Sequence, residues 1–132
     1  MGNPPKLKVL LVDDHALARE GLCMALEITD EIACIQADSA EASLELLGTG
    51  AAFDLVLMDI AMPGMSGLDA LKVIRERFPQ LPVLLHSMYP EEHYAQRARD
   101  LGAMGYVSKG APPSVILDAV KSAARGISHF PS

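Results

Sequence analysis

The sequence predicts an α/β fold: a doubly wound, five-stranded parallel sheet in the order 2-1-3-4-5, with five helices. Three observations predict it. Short apolar runs alternate with segments of helical spacing, five times along the chain. The strand runs are continuously apolar, as in strands covered on both faces. Right-handed crossovers between such strands leave few topologies.

The elements follow in order. Residues 8–12 are a short apolar run ending in Asp13 and Asp14. Residues 16–28 carry Leu17, Gly21, Met24, Ala25 and Ile28 at helical spacing, the pattern of an amphipathic helix. Residues 32–37 read as a second strand. Asp38 with Glu41 three residues on is a capping signal for a helix to Leu47, closed by Gly48, Thr49 and Gly50. Residues 53–58 are apolar and end in Asp59, and Met62, Pro63 and Gly64 are loop. Ser66 with Asp69 starts a helix whose spacing runs through Leu71, Ile74 and Phe78. Residues 81–85 are strand, 91–101 helix and 105–108 a short strand. Pro112, Pro113 and Ser114 open a last helix to Arg125, with Gly126 as its stop.

The 132 residues make one domain, long enough to bury a core without cross-links. Half are hydrophobic and 21% are charged, which excludes a disordered chain. A net charge of −6 argues against a domain that grips nucleic acid by itself. Cys23 and Cys34 have no metal-site spacing and read as small core hydrophobes in a reducing compartment. No apolar run is long enough to cross a membrane, and the start of the chain has no leader-like apolar core. Lys6 stands where a myristoylation signal wants Ser or Thr. A cytoplasmic location with no membrane partner is the expectation.

Ligands of such sheets bind at the carboxyl ends of the strands. Asp13 and Asp14 end the first strand, Asp59 the third, Ser87 lies near the end of the fourth, and Lys109 follows the fifth. Each has an ordinary explanation alone: a helix cap, a loop carboxylate, a backbone hydrogen bond, a solvated lysine. Together they place three carboxylates, a hydroxyl and an ammonium on one edge. Clustered carboxylates raise one another's pKa unless a cation sits among them. Oxygen-only ligands suit Mg²⁺ better than a transition metal. A carboxylate beside Mg²⁺ and a lysine can attack a phosphoryl group.

These residues carry a family resemblance over residues 6–125. Val12-Asp13-Asp14-His15, the run from Met58 and Asp59 to Gly67, Ser87, and Gly105-Tyr106-Val107-Ser108-Lys109 resemble a response-regulator receiver domain of flavodoxin-like fold. The resemblance implies that Asp59 accepts a phosphoryl group from a sensor histidine kinase. It implies that Asp14, Asp59 and the Ala61 carbonyl bind Mg²⁺ directly and Asp13 through water. Lys109 would pair with Asp59 and the phosphoryl group, while Ser87 and Tyr106 would move together on activation, Tyr106 turning inward. Asp13-Asp14-His15, Ser87-Met88 and Ala123-Ala124-Arg125-Gly126 resemble the NarL/FixJ type of transcriptional regulator. Members of that group carry a C-terminal helix–turn–helix domain. Residues 1–126 are then the receiver, and 127–132 the start of a linker to a DNA-binding domain absent from this chain. A homodimer is a further partner the resemblance allows.

Two departures stand out. Gly110 follows Lys109 where many receivers have proline. His86 precedes Ser87 where an apolar residue is commoner; by strand alternation it points away from Ser87 and reads as structural. His15 and His93 read as surface residues. Met62, Met65, Met88 and Tyr89 lie in loops near the site, either as packing or as a partner-facing rim. Tyr89, two residues beyond Ser87, is placed to cover the phosphoryl group against water. Rival functions are a stand-alone receiver, a Mg²⁺-dependent aspartyl phosphatase, a flavin module and a degenerate receiver. The phosphatase wants a second Asp where Ala61 stands, and Asp13-Asp14 would repel a flavin's phosphate.

Overall fold

The computed structural model describes residues 6–89 and 91–130. Residues 1–5, expected to hold no leader, and residues 131–132 of the expected linker lie outside them, as does the side chain of His93. The elements are β1 (Leu7–Val12), α1 (Ala16–Glu27), β2 (Ile32–Ala37), α2 (Ala40–Gly48), β3 (Leu55–Asp59), α3 (Gly67–Arg77), β4 (Val83–Ser87), α4 (Glu91–Asp100), β5 (Gly105–Ser108) and α5 (Pro113–Ala124). All strand pairs are parallel, in the order β2-β1-β3-β4-β5. No helix among the described residues is long and apolar enough to cross a membrane.

Strand alternation divides the core. Val9, Leu11, Leu55, Leu57, Leu84 and Val107 face α1 and α5. Leu10, Val12, Val56, Met58, Val83 and Leu85 face α2, α3 and α4. This parity also sorts the polar edge. His86 falls on the α1/α5 side with Leu84, and Ser87 on the other side with Leu85. Of the loop methionines, Met62 is buried in the core while Met88 is exposed. Cys23 is buried and Cys34 half-buried, both as free thiols.

Three expectations change. The stripe Leu17–Met24–Ile28 of α1 faces outward, at 87%, 70% and 83% exposure. Cys23 and Leu26 make the buried face instead, with Leu22 packed beside them. Helix α1 has two apolar faces, and periodicity cannot choose between them. The cap of α2 is Ser39, not Asp38: its hydroxyl accepts the Ala42 N–H at 3.0 Å. Burying Ala40 completely sets the helix start one residue later. Glu41 is thereby free to accept the Met65 N–H at 3.2 Å and hold the loop after β3. Strand β4 runs two residues later than its apolar run, which brings Ser87 inside the ladder opposite Ser108. Ser66 caps α3 as expected, accepting the Asp69 N–H at 3.2 Å.

His86 is 3% exposed and lines a cavity of about 330 Å³ between α1 and α5, with Leu22, Ala25 and Ile116. Its Nδ1 has no hydrogen-bond partner. Burial, and then the charge of Lys109, lower its pKa to about 4. It is neutral at pH 7, and it points away from Ser87 as its place in the strand suggested.

Two outcomes follow for stability in urea. Met24→Gln and Ile28→Gln should each shift it by less than about 0.5 kcal/mol, whereas Leu26→Ala should cost roughly 2–5 kcal/mol; the reverse ranking would refute the orientation of α1. For His86, the unfolded chain takes up a proton near pH 6.5 that the folded chain refuses until about pH 4. Wild-type stability should therefore fall between those values by roughly 1–3 kcal/mol more than that of His86→Leu, measured across a pH series.

Candidate functional site

The carboxyl edge of the sheet gathers its polar residues from three strands. Asp13 follows β1, and its N–H donates to the Ala37 carbonyl at 3.1 Å. Asp59 ends β3 opposite His86. Lys109 follows β5, with its N–H on the Ser87 carbonyl at 2.9 Å. These bonds point the side chains at one place. The Lys109 ammonium lies 2.9 Å from Asp13 Oδ2 and 3.1 Å from Asp59 Oδ2. Asp13 and Asp59 are nearly sealed from solvent.

One cation shared by two buried carboxylates divides their behaviour. Burial pushes the Asp13 carboxyl up, but the His15 N–H and Lys109 outweigh it, and Asp13 ends below its ordinary pKa. Burial pushes Asp59 up as well. Lys109 and the Ala61 N–H oppose this, the Asp13 charge adds to it, and Asp59 ends above its ordinary value. Burial pulls Lys109 down, but its two carboxylates raise it further. Asp59 is thus raised chiefly by its burial, with the Asp13 charge a smaller addition, because Asp13 takes more of the compensation.

The orphan is Asp14. Its Oδ1 is buried without a hydrogen-bond partner, with the His15 ring Nδ1 3.3 Å away. Oxygens of Asp13, Asp14 and Asp59 and a ring nitrogen of His15 lie within 4.8 Å of one another. An unpartnered buried oxygen beside two more carboxylates is a donor set that a cation would complete. Ala61 contributes only backbone and is exposed.

Glycine sets one close approach. A Cβ on Gly67 would collide with the Asp59 carbonyl oxygen, so glycine lets α3 begin against the loop that carries Asp59. The Gly67 N–H donates to the Ile60 carbonyl at 2.9 Å there.

Ser87 and Tyr106 sit on the other side of the sheet edge. Ser87 Oγ accepts the Tyr89 N–H at 3.1 Å, and the Tyr89 carbonyl accepts the Tyr106 hydroxyl at 3.1 Å. Tyr106 occupies the inward position, 1% exposed. Tyr89, offered by its spacing as a lid, has its ring paired with Tyr94 of α4 at 4.9 Å. Its backbone is what joins Ser87 to Tyr106.

Two contributors escaped the sequence reading. His15 is exposed as expected, yet its N–H donates to Asp13 Oδ1 at 2.9 Å and its ring Nδ1 lies 3.2 Å from the same oxygen. Its adjacency to Asp13 and Asp14 was the available signal. Arg19 of α1 donates from Nη1 to the Asp13 carbonyl at 2.7 Å and from Nε to Gln36 Oε1 at 2.9 Å. It fixes the turn that carries the acidic pair, and no sequence spacing announces it.

The profile of the response regulator receiver domain matches residues 9–121. The chain is 37% identical to the transcriptional regulatory protein MctR of Rhizobium johnstonii, over 100% of this chain and 62% of the relative. It is 36% identical to the oxygen regulatory protein NreC of Staphylococcus carnosus, over 94% of this chain and 58% of the relative. The receiver domain of the putative response regulator NarL from Mycobacterium tuberculosis superposes with a TM-score of 0.86 at 34% identity, covering 93% of this chain and 99% of that one. The chain therefore spans about three-fifths of the curated relatives it matches. A profile match across most of the length, with identities above 30% to relatives over nearly all of it, establishes that this chain belongs to the response regulator receiver domain family of two-component systems.

Proposed function

We propose that this receiver is a switch driven by phosphorylation of Asp59, with a sensor histidine kinase as donor. The observation that carries the reading is the Lys109 ammonium held between Asp13 and Asp59, beside the unpartnered oxygen of Asp14. A carboxylate oxygen of Asp59 attacks phosphorus, the bond from phosphorus to the donor's imidazole nitrogen breaks, and that nitrogen keeps the electron pair. Lys109 offsets charge gathering on the transferred group. Asp13, Asp14 and Asp59 with the Ala61 carbonyl would hold Mg²⁺, which supplies charge neutralisation at the phosphoryl oxygens.

Ser87 then donates its hydroxyl to a phosphoryl oxygen and carries the backbone of Tyr89 with it. The inward Tyr106, bonded to the Tyr89 carbonyl, is the packing this would favour. The change is a shift between two packings set by a local charge, not turnover of a substrate. Ala61 lacks the second carboxylate a phosphatase would use. The names of the relatives support transcription as the output, through a C-terminal DNA-binding domain. Residues 1–126 are then the receiver and the remainder leads towards that domain. A cytoplasmic location follows from this role.

Two measurements test the site. Acetyl phosphate with Mg²⁺ should add one phosphoryl group to the wild type and none to Asp59→Asn, read by intact-mass spectrometry; equal labelling of both would remove Asp59 from its role. Asp14→Ala should also fail to label. It should nevertheless be more stable in urea than the wild type when both are metal-free, by roughly 1 kcal/mol, because an unpaired buried oxygen is gone. A less stable metal-free variant would contradict the crowded acidic pocket.

A further inference from the structure

Helix α5 is not the last contact the chain makes with the sheet. After Gly126, with φ +82°, residues 127–130 return to it. His129 forms a parallel bridge with Gly105, the first residue of β5. The Tyr106 N–H donates to the His129 carbonyl, and the His129 N–H to the Met104 carbonyl, each at 2.9 Å. Phe130 packs against the core on the α2–α4 side, with the Arg99 guanidinium over its ring at 4.3 Å. The start of β5 is shaped for this approach. A Cβ on Gly105 would collide with the His129 carbonyl oxygen, so only glycine lets the segment close on the strand.

We propose that residues 127–130 are a strap that docks on the free edge of β5 and reads the state of the site through Tyr106. Three hydrogen bonds run in series from Ser87 to the strap: Tyr89 N–H to Ser87 Oγ, Tyr106 hydroxyl to the Tyr89 carbonyl, and Tyr106 N–H to the His129 carbonyl. Tyr106 is the joint. Its hydroxyl fixes its position against the loop after β4, and its backbone holds the strap. Among the described residues the strap is held to the sheet by the two backbone hydrogen bonds of its one bridge and by Phe130, packed on the core beneath Arg99, while the Ile127 N–H donates back to the Ser122 carbonyl of α5 at 3.0 Å. Segments with few buried contacts open locally at low cost, so a small bias at Tyr106 changes how often the strap is docked. The inward Tyr106 holds it down, and a Tyr106 that has left the Tyr89 carbonyl loosens it. The strap is where the chain leaves the domain, so its docking sets the direction in which any following residues depart. The trigger, though not the coupling, rests on the phosphorylation of Asp59 proposed above.

The experiment follows backbone amide exchange at Tyr106 and His129 by NMR, with Leu11 and Leu57 in the central strands as controls. Tyr106→Phe, without any phosphoryl donor, should speed exchange at His129 by roughly two- to tenfold, the worth of one hydrogen bond, and leave the controls unchanged. Phe130→Ala should speed exchange at both Tyr106 and His129 in the same way. Unchanged exchange at His129 in Tyr106→Phe overturns the coupling, whatever the chemistry of Asp59. With acetyl phosphate and Mg²⁺, a wild-type sample whose intact mass shows one added phosphoryl group should exchange more slowly at His129. A labelled sample with unaltered exchange also overturns the proposal. Absence of the added mass counts against the Asp59 reading alone, and the Tyr106→Phe result then decides the strap.

Discussion

The site depends on one ammonium placed between two buried carboxylates. Asp13 and Asp59 come from neighbouring strands, and each would resist ionisation alone at that depth. Lys109 arrives from β5, across β4, and meets both. The order of the strands matters for this reason: β1, β3, β4 and β5 must be adjacent for the three groups to converge. Because one positive charge serves two negative ones, the balance is incomplete. Asp13 takes the larger share through its extra hydrogen bonds from His15, and Asp59 is left with a raised pKa. The residue with most to gain from added positive charge is the one at the end of the central strand.

Around this centre the backbone is held by groups that do no chemistry. Arg19 spans the Asp13 carbonyl and Gln36, and so ties α1 and β2 to the acidic turn. Glu41 of α2 holds the Met65 N–H in the loop after β3, while Gly67 allows α3 to start against the Asp59 carbonyl. Each contact crosses between elements, so the loops at this edge are positioned by the layers on both sides of the sheet. Preorganisation of this kind lets a local charge act on a defined geometry.

The two faces of the sheet edge have different tasks. Asp13, His86 and Lys109 meet on the side of α1 and α5, where a cavity reaches them. Ser87 and Tyr106 lie on the side of α4, joined through the backbone of Tyr89. Asp59, at the end of β3, shares the alternation of Leu57 and so lies with Asp13 and Lys109 on the α1/α5 side. A charge appearing there is felt on that side as electrostatics and across the edge as a pull on a hydrogen-bonded loop. The outward apolar stripe of α1 reaches the α1/α5 side at Leu17, which lines that cavity, and it leaves the core intact because Cys23 and Leu26 already fill the inner face.

By itself the sequence determined the strand order, the helix positions to within a few residues, and Asp13, Asp14, Asp59, Ser87 and Lys109 as groups sharing one edge. These are local or topological facts: apolar runs of strand length, the period of a helix, and the rule that parallel strands end together. Tertiary structure decided what depends on which surfaces meet. It chose Cys23 and Leu26 over Leu17 and Met24 as the inner face of α1, since both stripes have helical spacing and only packing distinguishes them. It moved the cap of α2 from Asp38 to Ser39 because Ala40 had to be buried. It recruited His15 and Arg19 to the acidic turn and brought His129 back to Gly105. His15 is a chain neighbour of Asp13, but the contacts of Arg19 with Gln36 and of His129 with β5 join residues whose partners are fixed by the folded distance between elements, which no spacing along the chain encodes.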